Sequence, residues 1–383
     1  FPPEPRFGMP AFKELLLRVV DFLGSHTADI QTQGRALREA INKAEAVTAT
    51  GEPPGATDPL RALGLPAELL TGTTAPMPLP DAGVGAARDA ARIAAAAAKH
   101  LTALNRVFDR EHGGLGKAPK FPHPSHLARL LRHAGRGTAV VTAPDNSSVR
   151  GWLVLTLERM YRGGLYDALE GGFFRYATDD AWQIPHFEKM LSDNGQLLRV
   201  YAEATRMLGP EYRPAVEGTA RWMIAQMEAE DGGFFASLDA DTEGEEGKYY
   251  VFTDAELDTA LDRSERQALA SVFHMEPPPN FEERAWHLAG PPDLVPGTQY
   301  PIESPSLASG LNHLRALRAR RIRPRRDEKL LVSWNALAVS GLVNAIHAVD
   351  PAQDTSAWSV SIDAALDRIY RDLWHEGRLI AQF

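Results

Sequence analysis

Gly171-Gly172-Phe173-Phe174-Arg175-Tyr176, followed by Trp182-Gln183-Ile184-Pro185-His186-Phe187-Glu188-Lys189, is the stretch on which the reading of the fold turns. A similar glycine pair stands earlier at Gly113-Gly114 and another later at Gly232-Gly233. The pairs recur about every 60 residues, too long for a simple solenoid unit but suited to two helices plus a long loop. Each pair opens an ornate loop that leads into a helix. Where helices alternate up and down, loops one full repeat apart share one face. The loops at 113–123, 171–186 and 232–252 therefore form one rim, and the run Arg323-Pro324-Arg325-Arg326-Asp327-Glu328-Lys329 before Trp334 and Asn335 joins them.

Outward from these loops the chain reads as helical. Apolar spacing predicts helices over 84–108, 125–134, 147–161, 187–208, 213–229, 254–262, 264–273, 305–320, 330–348 and 356–372. Thr253 with Glu256, and Ser264 with Gln267, fit capping boxes. Ser304 before Pro305 fits an N-cap with proline at the first helical position. The aromatic runs Phe173–Tyr176 and Lys248–Phe252 favour short strands. Upstream, helices are expected over 9–23 and 25–49, with a Pro/Gly/Thr-rich connection over 51–81.

The chain has 383 residues, 44% hydrophobic and 24% charged, the balance of a soluble globular protein. Its net charge of -9 argues against nucleic acid as a main partner. Cysteine is absent, which excludes thiolate metal sites and CxxC redox chemistry within these residues. No run reaches the ~20 apolar residues of a membrane span. No cofactor is implied, and localisation is expected to be cytoplasmic. The chain opens on Phe1 and closes on the apolar Leu379-Ile380-Ala381-Gln382-Phe383, so a fragment is expected at both ends.

Several side-chain sets suggest chemistry. His186, Lys189 and Asp193 are spaced to share one helix face, where an imidazole, a cation and a carboxylate could move a proton. The plainer alternative is a capped helix start with an i,i+4 salt bridge. Trp182 beside them suits stacking on a sugar ring. Asp239, Asp241, Glu243 and Gly244 resemble half a calcium loop, but Tyr250 stands where a bidentate Glu is needed. A carboxylate pair for acid/base work or hydroxyl binding fits better, and a solvated turn is the commonest outcome. Asp327, Lys329, Trp334 and Asn335 form a further polar-aromatic set. His123 and His126 lack a third ligand for zinc, so no metal site is expected.

The ordered motifs Gly-Lys-Ala-Pro-Lys-Phe-Pro at 116–122, Trp182-x-x-Pro-His-Phe-Glu-Lys-Met-Leu-x-Asp193-Asn194, Asp239-Ala-Asp-x-Glu-Gly-x-Glu-Gly-Lys-x-Tyr250 and Asp327-x-Lys329 with Ser333-Trp334-Asn335 resemble the spermatogenesis-associated protein 20 family. Its bacterial members are known as thioredoxin domain-containing proteins. The resemblance implies a thioredoxin-like domain followed by an all-α (α/α) toroid of helical hairpins, similar to six-hairpin glycosidases and N-acylglucosamine 2-epimerases. It implies that residues 1–83 hold the tail of the thioredoxin-like domain plus a helical linker, and that 84–383 hold an incomplete toroid with short β segments in its rim loops. The upstream thioredoxin-like domain then becomes a partner, carrying any redox motif. The resemblance also brings Lys120 and Glu188 into the substrate-binding set. Two positions depart from its pattern: Ser192 replaces a usual Tyr, and Glu170 interrupts a glycine-rich run.

The favoured expectation is a rim that binds a small carbohydrate or polyol and epimerises or isomerises it next to a carbonyl. His186 would transfer the proton, Asp239 and Asp241 would bind hydroxyls or assist, Trp182 and Trp334 would stack, and Lys189 or Lys329 would stabilise enolate charge. The alternatives are glycoside hydrolysis by two of Asp193, Asp239 and Asp241, and a non-catalytic sugar-binding or redox-partner platform.

Overall fold

The computed structural model describes Leu17 and residues 84–135, 148–293, 304–375, 378–379 and 381. The helices expected over 9–23 and 25–49 and the connection over 51–81 lie outside the described residues, apart from a helical Leu17. Val84–Phe383 forms one compact unit. Its helices are α1 (Val84–Val107), α2 (Pro124–Ala134), α3 (Val149–Arg162), α4 (Leu191–Met207), α5 (Arg213–Trp222), α6 (Asp254–Ala260), α7 (Arg263–Phe273), α8 (Pro305–Arg318), α9 (Val332–Ile346) and α10 (Ser356–Leu373). Every helix expected in this region is present, and α5 continues into a π turn over Met223–Met227.

The helices pair as hairpins α2/α3, α4/α5 and α9/α10. Helices α2, α4 and α9 form an inner row, with α4 packed against both neighbours. Contact between α4 and α9 is close because Gly195 and Gly341 face each other; a Cβ on Gly341 would meet the Gly195 carbonyl. The result is an arc of an (α/α) toroid, with an all-α core running continuously from Leu104 to Ala365. Helices α6, α7 and α8 are inserted between the second and third hairpins and pack around their own cluster, including Phe252, Leu257, Leu269 and Leu314.

Caps fix the helix starts. Thr253 and Glu256 form the expected capping box, and Ser304 accepts from the Leu307 N–H with Pro305 at the first position. At α7 the box is made instead by Asp262 and Glu265. Ser264 lies inside the helix and donates its hydroxyl to Asp262, so the stronger, charged acceptor takes the cap.

The glycine pairs set the repeat. All six residues have φ between 74° and 91°, which favours glycine. The first glycine of each pair presses on the backbone of the next outer helix: Gly113 on Thr156 of α3, Gly171 on Gly218 of α5, and Gly232 on Ala364 of α10. Each loop closes on itself, Asp109 to Gly113 and Gly114, Asp167 to Gly171 and Gly172, and Ala229 to Gly232 and Gly233. Asn194, fourth in α4, bonds both backbone groups of Phe173. Asn335, fourth in α9, does the same to Phe234.

Candidate functional site

The four ornate loops are stitched edge to edge at the N-terminal ends of the inner helices. Lys120 bridges Ala177. Strand β1 (Tyr176–Ala177) pairs with β2 (Pro185–His186). Strands β3 (Lys189–Met190), β4 (Ser237–Leu238) and β7 (Arg326–Asp327) form one antiparallel sheet, with β4 central. Strands β5 (Asp241–Thr242) and β6 (Glu245–Glu246) make a small hairpin beyond it. The expected shared rim is therefore a continuous run of backbone hydrogen bonds. Of the runs expected as strands, Phe173–Tyr176 contributes Tyr176 to β1, while Lys248–Phe252 is mostly turn, with Phe252 bridging Trp286.

One polar cluster sits on this rim, around Glu188. Its Oε2 accepts from the Arg175 guanidinium at 2.7 Å and lies 3.9 Å from His186 Nε2. The other imidazole nitrogen, Nδ1, is 2.7 Å from Glu246 Oε1. The His186 ring stacks on Tyr176 with centroids 4.9 Å apart. Asp193, in the first turn of α4, makes no side-chain hydrogen bond or ion pair with any described residue. Asp239 lines an open cleft of about 640 Å³ with Arg325, Asp327 and Lys329.

The electrostatics tie these groups together. Hydrogen bonding to Glu246 raises the His186 pKa; partial burial and Arg175 oppose this, while the Glu246 and Glu188 charges add to it. Burial pushes the Asp193 carboxyl up to about 6, with Glu188 adding and Arg175 opposing. A carboxylate at a helix N-terminus should gain from the helix dipole, so desolvation is the stronger effect here. Desolvation also raises Asp239; Arg325 opposes it, and Glu188, Asp241 and Asp327 add to it. The charge on Glu188 is thus felt by His186, Asp193 and Asp239 alike.

Other expected site residues lie elsewhere. His186 and Lys189 are not on a helix face, because α4 begins at Leu191 and both belong to two-residue strands. Lys189 points into the core. It pairs with Asp167 at 2.9 Å, and Arg318 reaches the same carboxylate at 2.7 Å, all three being buried. These two cations hold Asp167 well below the usual carboxylate range despite its burial. Lys189 therefore cannot meet an enolate. Lys120 is likewise buried against Asp109 at 2.6 Å. Trp182 is 0% exposed, donates its indole N–H to the His112 carbonyl, and takes Lys120 over its ring, so it offers no face to a sugar. Asn335 is buried, with its amide on the Phe234 backbone. Trp334 is half-buried against the main core, and Lys329 pairs with Asp327 at 2.8 Å. Asp241 is exposed in β5.

Sequence reasoning missed Arg175, Tyr176 and Glu246 as members of the cluster. The available signal was the repeat: Glu246 lies 60 residues beyond His186, one full period along the rim. Among the described residues, no group of three or more His, Asp or Glu side chains could hold a metal ion, and no helix is long and apolar enough to cross a membrane.

No family model matches the chain. Spermatogenesis-associated protein 20 of Mus musculus is 31% identical over 301 residues, 70% of this chain and 38% of that protein. The Homo sapiens protein of the same name is 31% identical over 270 residues, 62% of this chain and 34% of that protein. The chain belongs to the spermatogenesis-associated protein 20 family. It spans little more than a third of the length of the curated relatives it matches. Of the two departures from the family pattern, Glu170 has a visible role: it accepts from the Tyr249 hydroxyl at 3.0 Å and faces Arg318 and Arg323. Among solved structures, the chain is similar to a sugar epimerase from a ruminal bacterium, with 12% identity, a TM-score of 0.31, and coverage of 74% of this chain and 87% of that one. It is also similar to cellobiose 2-epimerase from Spirochaeta thermophila, with 15% identity, a TM-score of 0.29, and coverage of 74% and 84%.

Proposed function

We propose that the rim cluster binds a small carbohydrate or polyol and exchanges the proton on the carbon next to its carbonyl. The observation that carries this reading is the shared field of Glu188 on His186, Asp193 and Asp239. Proton removal and return require a base and an acid that both titrate near the working pH; an imidazole and a carboxyl raised by burial to about 6 are groups of that kind. His186 takes the proton from carbon, and the bond electrons move onto the carbonyl oxygen as an enediolate. Arg175 offers a cation to that oxygen. Return of a proton by Asp193 to the opposite face inverts the centre, and transfer between neighbouring carbons gives an isomer. Asp239 and Asp327 are hydroxyl acceptors at the cleft. The thioredoxin-like domain that the family resemblance implies is proposed as a partner of this rim.

A second reading is favoured by one feature. Asp193, whose carboxyl burial raises to about 6, and the neighbouring Glu188 are also a carboxyl pair of the kind that cleaves glycosides. Product analysis separates the two. Incubation with free aldoses and 2-acylamino sugars should yield the 2-epimer or the ketose. New reducing ends from oligosaccharides, with no change in the free sugars, would replace the first reading with the second. Binding without turnover of either would leave a non-catalytic platform.

A further inference from the structure

The hairpin β5–β6 belongs to the acidic run that resembles half a calcium loop. Its one direct side-chain link to the rim cluster is Glu246. We infer that Glu246 is a positioning residue for His186, fixing which imidazole nitrogen faces the ligand. This rests on the proposed proton-transfer role of His186, but its test does not.

Glu246 Oε1 is 2.7 Å from Nδ1 of His186 and also accepts from the Phe187 backbone N–H at 3.3 Å. An ionised carboxylate only accepts, so in neutral His186 the proton must sit on Nδ1. That leaves the Nε2 lone pair on the side of Glu188, whose Oε2 lies 3.9 Å away. The Tyr176 ring, lying within 19° of the imidazole plane, limits rotation about the remaining axis. A carboxylate behind and a stacked ring beside hold a histidine in one tautomer and one plane, as outer-shell carboxylates do for ligating and catalytic histidines. The charged and titratable groups facing His186 are Glu246 from β6, Glu188 between β2 and β3, and Arg175 and Tyr176 at β1. Glu246 itself is held below the usual range by His186, so it stays ionised at neutral pH. It also lines a separate cleft of about 520 Å³ with Lys248, Arg284 and Arg321. The hairpin thus presents Glu246 on the Nδ1 side of the ring, and Glu246 needs no contact with a ligand at Nε2.

Imidazole nitrogen and carbon resonances of His186, followed through a pH titration of the full chain, test this directly. In the wild type the neutral form should show a protonated Nδ1 and an unprotonated Nε2. Glu246→Gln keeps an acceptor but loses the charge: the tautomer should persist while the titration midpoint falls. Glu246→Ala should lower the midpoint and mix the tautomers. A midpoint and tautomer unchanged in both folded variants would overturn the inference. Glu246→Asp, whose shorter arm loses the contact, should behave like the alanine variant; wild-type behaviour there would also count against it. If the shifts appear but no sugar is turned over, positioning stands and the proton-transfer reading falls. If sugar is turned over and the shifts are absent, the reverse holds.

Discussion

The Asp109 carboxylate and the Lys120 ammonium meet at 2.6 Å with both side chains out of water. The same place in the third repeat is apolar, with Ala229 where Asp109 stands and Leu330 where Lys120 stands. A Cβ on Gly114 would meet the Lys120 chain, and one on Gly233 would meet Leu330. The second repeat keeps the ion pair as Asp167 and Lys189 and adds Arg318. One fold position thus accepts either solution, as expected when the cost of burying two charges nearly cancels their attraction.

Removing one partner is a different matter. Asp109→Ala strands the Lys120 charge and should cost about 3–5 kcal/mol. Adding Lys120→Leu copies the third repeat and should recover at least half of that loss. Some loss will persist, because Asp109 also accepts from the N–H groups of Glu111 and His112. Urea unfolding of the two single variants and the double variant measures the coupling. Strictly additive losses would contradict the repeat assignment.

Asp193→Asn should stabilise the fold above pH 6. A carboxyl raised from 3.8 to about 6 is easier to protonate folded than unfolded, so its ionisation opposes folding. That penalty grows as pH rises from about 4 to about 6 and is complete above. Two pKa units correspond to roughly 3 kcal/mol as an upper bound. The gain should vanish below pH 4, and activity should fall with the substitution. Stability curves at pH 4 and pH 8 check the sign.

His287 has the opposite linkage. It is buried, its Nε2 lies 2.7 Å from the Gly164 carbonyl, and desolvation lowers its pKa to about 4. The unfolded chain binds this proton first, so stability falls as pH drops from 6.5 towards 4 and is unaffected above 6.5. His287→Gln keeps a donor but removes the titration. The stability difference between pH 7 and pH 4 should shrink by up to about 3 kcal/mol, whatever the variant's stability at pH 7.

Asn335→Ala should cost more than a surface change. It strands the buried N–H and C=O of Phe234 and the turn that sets the third loop. A loss of about 2–4 kcal/mol follows from two unmet buried groups. Asn194→Ala should match it, since it leaves Phe173 in the same state. Thermal unfolding of the two variants side by side is the check.

Helices and caps were legible because their signals are local: apolar spacing, Thr253 with Glu256, and Ser304 with Pro305. The rim was legible as a place because the glycine pairs repeat. The roles of its residues were harder. Trp182 and Lys189 look ligand-facing in a loop, yet partners far along the chain draw them inward, His112 for the indole and Asp167 for the ammonium. Helical spacing misled at His186 and Lys189, because two short strands precede α4. Glu246 joins His186 only by the approach of a separate loop, and Arg175 only by the β1–β2 pairing within one loop, neither of which helical spacing encodes.

Solvent exchange at carbon tests the central claim most directly. A free aldose or 2-acylamino sugar incubated with the protein in deuterium oxide should gain deuterium at the carbon next to its carbonyl. His186→Asn and Asp193→Asn should each lower the rate by at least ~10²-fold. No incorporation across a broad sugar panel, or incorporation that survives His186→Asn unchanged, would contradict the account.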